Sequence, residues 1–175
     1  MNTFLSRLSN VGSFSVTVIM FMVVILSFLT ANFMPVPDVR LEVKDVKRYV
    51  GGGYDYYDKS LHKAEIIKLK FDLEADMQHL FNWNTKQLFV YIMAEYDNDK
   101  NIDNKVIVWD RIITNPKRSH LRLKKHLNKY VFRDFDLSFE AISDAKLSLV
   151  VERIPRVGFF TGRKEFSTEL LLPQI

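Results

Sequence analysis

The chain has no cysteine. That excludes disulfides, Cys-ligated zinc, iron–sulfur clusters and thiol nucleophiles together, so the fold must be held by its hydrophobic core. Charge is missing from Leu8 to Pro37, and Arg7 is the only charged side chain before Asp38. There is no Gly-x-Ser-x-Gly elbow and no His-x-x-x-His pair, and Gly51-Gly52-Gly53 lacks the following helix and lysine of a phosphate-binding loop. No Asn-x-Ser/Thr sequon occurs: Asn84 is followed by Thr85-Lys86 and Asn115 by Pro116, so N-glycosylation is not expected. Internal repeats and low-complexity linkers are missing too.

What remains is a chain of 175 residues, long enough for one domain plus an appendage. Of 25 Lys+Arg and 21 Asp+Glu, all but Arg7 lie from Asp38 onward, where the balance is 24 against 21, or +3. That excess is too small to imply a nucleic-acid partner.

The uncharged stretch reads as a membrane anchor. Phe14 to Met34 is built from Val, Ile, Met, Leu and Phe with scattered Ser and Thr. As a helix it crosses a hydrocarbon core of ~30 Å. A cleaved signal usually has an apolar region of ~7–15 residues and small residues at −3 and −1; here the run is longer, and Leu29 occupies −3 relative to Ala31. Arg7 and the α-amino group precede the segment, which favours a cytosolic N-terminal side. Pro35-Val36-Pro37 stops the helix. The expected organisation is a cytosolic tail over 1–10, a signal-anchor helix over 11–34, and a domain over 35–175 on the far side, a type II arrangement.

Beyond Asp38 the hydrophobic period is two. Ile67 to Glu74 and Val39 to Lys44 alternate apolar with charged residues, as strands with one wet face require. Leu88 to Ala94 is apolar at every position, predicting a central strand buried on both sides. Val106 to Ile113, Lys146 to Glu152 and Phe166 to Leu172 complete the set. Turns fall at Gly51–Ser60, Asp97–Asn101, Asn115-Pro116 and Gly158–Gly162. Six or seven short strands predict a mainly β domain, an antiparallel sandwich with little helix. Helix is expected at Ala75–Phe81 and around Leu121–Tyr130.

Chemistry is sparse. The histidines, His62, His79, His120 and His126, are scattered, and they read as solvated polar residues more readily than as partners of Ser60 or Ser119. Glu140, Asp144 and Glu152 have no fixed mutual spacing. No catalytic residue, cofactor or metal is assigned. A basic run, Lys117, Arg118, Arg122, Lys124, Lys125 and Lys129, contains no acidic residue. Such a run could meet anionic lipid or nucleic acid. Leu121, Leu123 and Leu127 are interleaved, however, which favours an amphipathic segment with packed leucines and solvated cations.

Several blocks carry a family resemblance. Met1-Asn2-Thr3 and Leu5-Ser6-Arg7 precede the anchor. Pro37 to Leu41, Leu80-Phe81-Asn82-Trp83-Asn84, Lys86-Gln87-Leu88-Phe89 and Ala94-Glu95-Tyr96 follow it, then Val106, Val108-Trp109-Asp110, Ile112 and Asn115-Pro116-Lys117. In this order, behind such an anchor, they resemble signal peptidase complex subunit 3 over nearly the whole chain. The resemblance implies an accessory, non-catalytic subunit of the endoplasmic-reticulum protease that removes signal peptides, with a lumenal β-sandwich bracing a separate catalytic subunit. Its implied partners are that subunit, the other membrane subunits, the lipid bilayer and the translocon. Asn82, Trp83, Asn84 and Gln87 are candidate contacts to a protein partner; alternatively Trp83 plugs the end of the core while the asparagines cap turns. The chain departs from many relatives in lacking a sequon near Phe135–Ser148, in its Tyr- and Gly-rich loop, in its basic run and in its final residues. Competing functions are a membrane-tethered hydrolase with an unrecognised Ser-based site, and a membrane-surface binding module working through Lys117–Lys129.

Overall fold

The computed structural model describes residues 3–51, 64–98, 102–134, 138–139, 142, 144–160 and 162–171. The Gly-rich loop beyond Gly51, with Ser60 and His62, lies outside the described residues, as do Glu140 and Leu172.

Helix α1 spans Phe4–Asn32, so it includes most of the stretch expected as a tail. The Thr3 hydroxyl opens it by accepting from the Ser6 N–H, and the Phe33 N–H closes it on the Leu29 carbonyl. Its apolar side chains point outward nearly all the way round. A helix apolar on every face needs an apolar surround, and over Phe4–Thr30 it is long and apolar enough to cross a membrane. Ser15, Thr17 and Thr30 turn their hydroxyls back onto the carbonyls of Val11, Ser13 and Leu26, which hides them from lipid. Ser27 is the exception to the outward pattern, being 5% exposed.

Among the described residues seven strands follow: β1 Asp38–Gly51, β2 Ala64–Asp76, β3 Thr85–Tyr96, β4 Asn104–Ile113, β5 His120–Leu127, β6 Asp144–Pro155 and β7 Gly162–Leu171. They form two antiparallel sheets with orders β1-β2-β5 and β4-β3-β6-β7. At 8 to 14 residues they run longer than short sandwich strands. Phe71, Leu73, Leu88, Val90, Ile92, Leu121, Leu147 and Leu149 fill the space between the sheets. β3 is buried on both faces as its composition predicts: Tyr91 and Met93 join Val150 in a smaller cluster on the outer side.

Both helix expectations are corrected. Leu121 to Leu127 belongs to β5, with 128–130 following it, because Leu121 and Leu123 alternate with Arg122 and Lys124 and pair with Ala75 and Leu73. That period of two outweighs the leucine content, and Lys125, at φ +48°, ends the regular alternation. Ala75 and Asp76 still belong to β2, and only Gln78–Leu80 forms a 3₁₀ turn.

The register gives the domain two ends. Asp38, Asp76 and His120 align at one end of the first sheet, and Thr85, Ile113, Pro155 and Gly162 lie at the same end of the second. The connecting residues 33–37, 77–84, 114–119 and 156–160 therefore gather beside the C-terminal end of α1. The far end carries, among the described residues, 97–98, 102–103 and 128–134.

Candidate functional site at the anchor–sandwich junction

The junction is built from Asn84, Arg153, Ser27, Gly158 and Met34. Asn82 sets the first loop: its Oδ1 accepts from the Asn84 N–H at 2.9 Å and lies 2.9 Å from the Thr85 hydroxyl. This Asx turn tips Trp83 outward, 63% exposed, and turns Asn84 inward to 2%. The Asn84 side chain then reads the β6–β7 loop as a backbone would. Its Oδ1 accepts from the Val157 N–H at 3.0 Å, and its Nδ2 donates to the Val157 carbonyl at 3.0 Å. The second Nδ2 hydrogen reaches Thr30 Oγ1 on the helix at 3.3 Å. One buried amide thus ties three segments together.

Arg153 holds the helix end. Its Nη2 donates to the Thr30 carbonyl. That carbonyl belongs to the last turn, where backbone acceptors lack intrahelical partners and the helix dipole is negative, so a cation is favoured there. Burial lowers the affinity of the guanidinium for its proton, yet arginine keeps its charge in proteins. Nη1 is buried and has no partner among the described residues.

The third contact is a close approach. Ser27 Oγ accepts from the Phe159 N–H at 3.0 Å. Gly158 adopts φ +104°, and a Cβ there would stand 2.3 Å from Ser27 Oγ, so only glycine fits. Met34, just past the helix, is buried in the main core cluster, and a Cβ at Gly162 would stand 3.2 Å from both the Met34 sulfur and Arg153 Cβ.

Of the residues singled out in the sequence, Asn82 and Trp83 are exposed, Gln87 is half-buried and Asn84 is internal, with its amide used within the chain. Trp83 does not plug the core. Arg153, Ser27 and Gly158 escape sequence reading. A lone arginine in a β run and a serine in an apolar helix signal a site only once the fold brings them together.

The basic run does not form one patch. Lys117 and Arg118 sit exposed on the 3₁₀ turn Pro116–Arg118, at the helix end of the domain. Arg122 pairs with Glu74 at 2.9 Å, and Lys124 shares a shallow groove with Arg40, Glu42, Asp72 and Glu74. The Lys125 N–H donates to Asp72 at 2.6 Å. Lys129, just after β5, bonds Asp110 at 2.5 Å; this pairing raises the lysine and holds the carboxyl below its ordinary range.

For the other polar groups, the Ser119 hydroxyl donates to the Pro116 carbonyl at 2.6 Å, and His126 Nδ1 lies 2.7 Å from the Leu127 carbonyl. Glu152 accepts from the Tyr91 hydroxyl at 3.0 Å. Among the described residues no group of three His, Asp or Glu side chains could hold a metal.

An apolar helix bonded by its final turns to a two-sheet domain defines a membrane-anchored β-sandwich protein. A family model described as signal peptidase subunit matches residues 1–175. Proteins named signal peptidase complex subunit 3 are similar along most of their length. The one from Yarrowia lipolytica is 36% identical over 148 residues, 79% of this chain and 80% of that protein. The Gallus gallus protein is 32% identical over 164 residues, covering 90% and 86%, and the Homo sapiens protein 33% over 165, also 90% and 86%. The chain belongs to the signal peptidase complex subunit 3 family and is an accessory subunit of that complex.

Proposed function

We propose that this subunit is non-catalytic and braces the catalytic subunit while signal peptides are removed from nascent secretory and membrane proteins. It does so as a single-pass type II protein of the endoplasmic-reticulum membrane, with the sandwich in the lumen. The observation that carries this reading is the junction. A brace must transmit a fixed position from the bilayer to the protein it supports, and the helix is bonded to the sandwich through Thr30 and Ser27. An anchor that confines the domain to the membrane surface also raises its effective concentration near membrane-bound partners. Those partners are the catalytic subunit, the remaining membrane subunits and the translocon.

Affinity purification of the full chain from detergent tests the reading. A membrane serine protease should co-purify in stoichiometric amount. Recovery of the chain without such a partner, or cleavage of a signal-peptide substrate by the chain alone, contradicts it. Protease protection in sealed microsomes tests the orientation: the sandwich should survive until detergent opens the vesicle.

A further inference from the structure

We propose that the rim of the sandwich beside the anchor, Trp83 with Val157, Phe159 and Phe160, is seated in the bilayer interface as a second membrane attachment. These side chains are exposed, Trp83 at 63%, Val157 at 44%, Phe159 at 72% and Phe160 at 78%. They lie on two loops at one end of the domain, joined by the bonds between Asn84 and Val157. Four large apolar groups so close to one another are rarely left to water without an occupant.

The helix identifies that occupant. Arg7 fixes one boundary of the apolar span, since a charge is costly in hydrocarbon. From Leu8 onward, the roughly 20 residues that cross a hydrocarbon core end near Ser27. Ser27 is the residue whose hydroxyl receives the Phe159 N–H. The α1 helix continues to Asn32, about 7–8 Å further along its axis at ~1.5 Å per residue. The 156–160 loop therefore reaches back beside the helix to the level where acyl chains meet headgroups. Tryptophan is enriched at that depth, and phenylalanine is readily buried in it. Exposed Arg156 on the same loop, and Lys117 and Arg118 on the adjacent turn, suit the phosphate layer above it. Lipid, rather than a protein partner, is thus the surface that meets Trp83.

The lack of native cysteine makes the test direct. Phe159→Cys, Phe160→Cys and, as a control at the far end, Ile102→Cys (native side chain 85% exposed) each carry one nitroxide on the full chain. The labelled chains are reconstituted in phosphatidylcholine nanodiscs, and collision with oxygen is compared with collision with a water-soluble nickel chelate. Oxygen should dominate severalfold at 159 and 160 and the chelate at 102. Chelate-dominated collision at 159 and 160 overturns the proposal. Shielding from both reagents also overturns it and hands the rim to a protein surface. A thermal unfolding transition matching the wild type, recorded for each labelled chain, separates these outcomes from misfolding. Trp83 gives an independent reading: its emission, taken as wild type minus Trp83→Phe, should be quenched by lipids brominated near the headgroup and shielded from aqueous iodide.

Discussion

Asn84 is the residue whose loss should be felt most widely, because its single amide serves the β6–β7 loop and the helix together. Asn84→Ala strands the part-buried Val157 N–H and carbonyl; a fully buried group left unmatched costs about 1–3 kcal/mol, so the two together should lose on the order of one such group. Thermal unfolding of the full chain in detergent should show a clear drop, with Asn82→Ala milder because Asn82 is exposed. Gly158 makes a stricter demand. A side chain at φ +104° carries strain of about 1–3 kcal/mol, and here its Cβ also overlaps Ser27. Gly158→Ala should therefore destabilise the junction, and Ser27→Ala should not rescue it, since Ser27 Cβ itself stands 2.6 Å from the added methyl. Rescue would show that only the hydroxyl stood in the way. By contrast Arg122→Gln should change stability by within about 1 kcal/mol, because its pair with Glu74 is exposed and screened.

At the level of elements, β1 and β2 carry a buried ion pair, Arg48–Glu65 at 2.6 Å. Burial pushes the Glu65 carboxyl up, but the Phe139 N–H, the Arg48 guanidinium and the Ser138 hydroxyl outweigh it and leave it below its usual 4.5. The folded carboxyl is the stronger acid, so the unfolded chain takes up its proton first as pH falls. The stabilisation is complete above 4.5 and is lost as pH drops through the folded value. Urea midpoints measured from pH 7 down to pH 3 should show this decline. Glu65→Gln should flatten that part of the profile while lowering stability at neutral pH by on the order of 3 kcal/mol, since Arg48 would stay buried without its partner charge.

The strands also show what a sequence makes legible. The alternation of Ile67–Glu74 and the unbroken run Leu88–Ala94 read correctly because burial on one face or two leaves a direct pattern in hydrophobicity. Leu121–Tyr130 misled, because three leucines among cations fit an amphipathic helix as well as a strand until the partner Leu73 and Ala75 are in view. The junction was illegible for a different reason. Arg153 and Thr30 are 123 residues apart, and nothing local in either marks their meeting. Asn84 stands in a distinctive aromatic and amide block, where the sequence suggests either a partner contact or a turn cap; nothing local marks its tie to Val157 and Thr30.

For the whole molecule, the two ends of the sandwich have different characters. One is bonded to the anchor and carries exposed aromatics and cations; the other holds buried polar ties such as Tyr96 to Asp134 at 2.9 Å. Distinct ends suit a support whose height and tilt are set by one end while the rest of its surface is free for other subunits. If support is the function, stiffness at the junction should matter to catalysis carried out by a neighbour. The measurement that asks this most directly is signal-peptide cleavage by the purified complex, rebuilt with either the wild-type chain or Asn84→Ala. A brace predicts that the chain alone cleaves nothing, that the wild-type complex is active, and that Asn84→Ala lowers processing while the catalytic subunit remains bound. Cleavage by the chain alone, or full processing with the junction loosened, would contradict it.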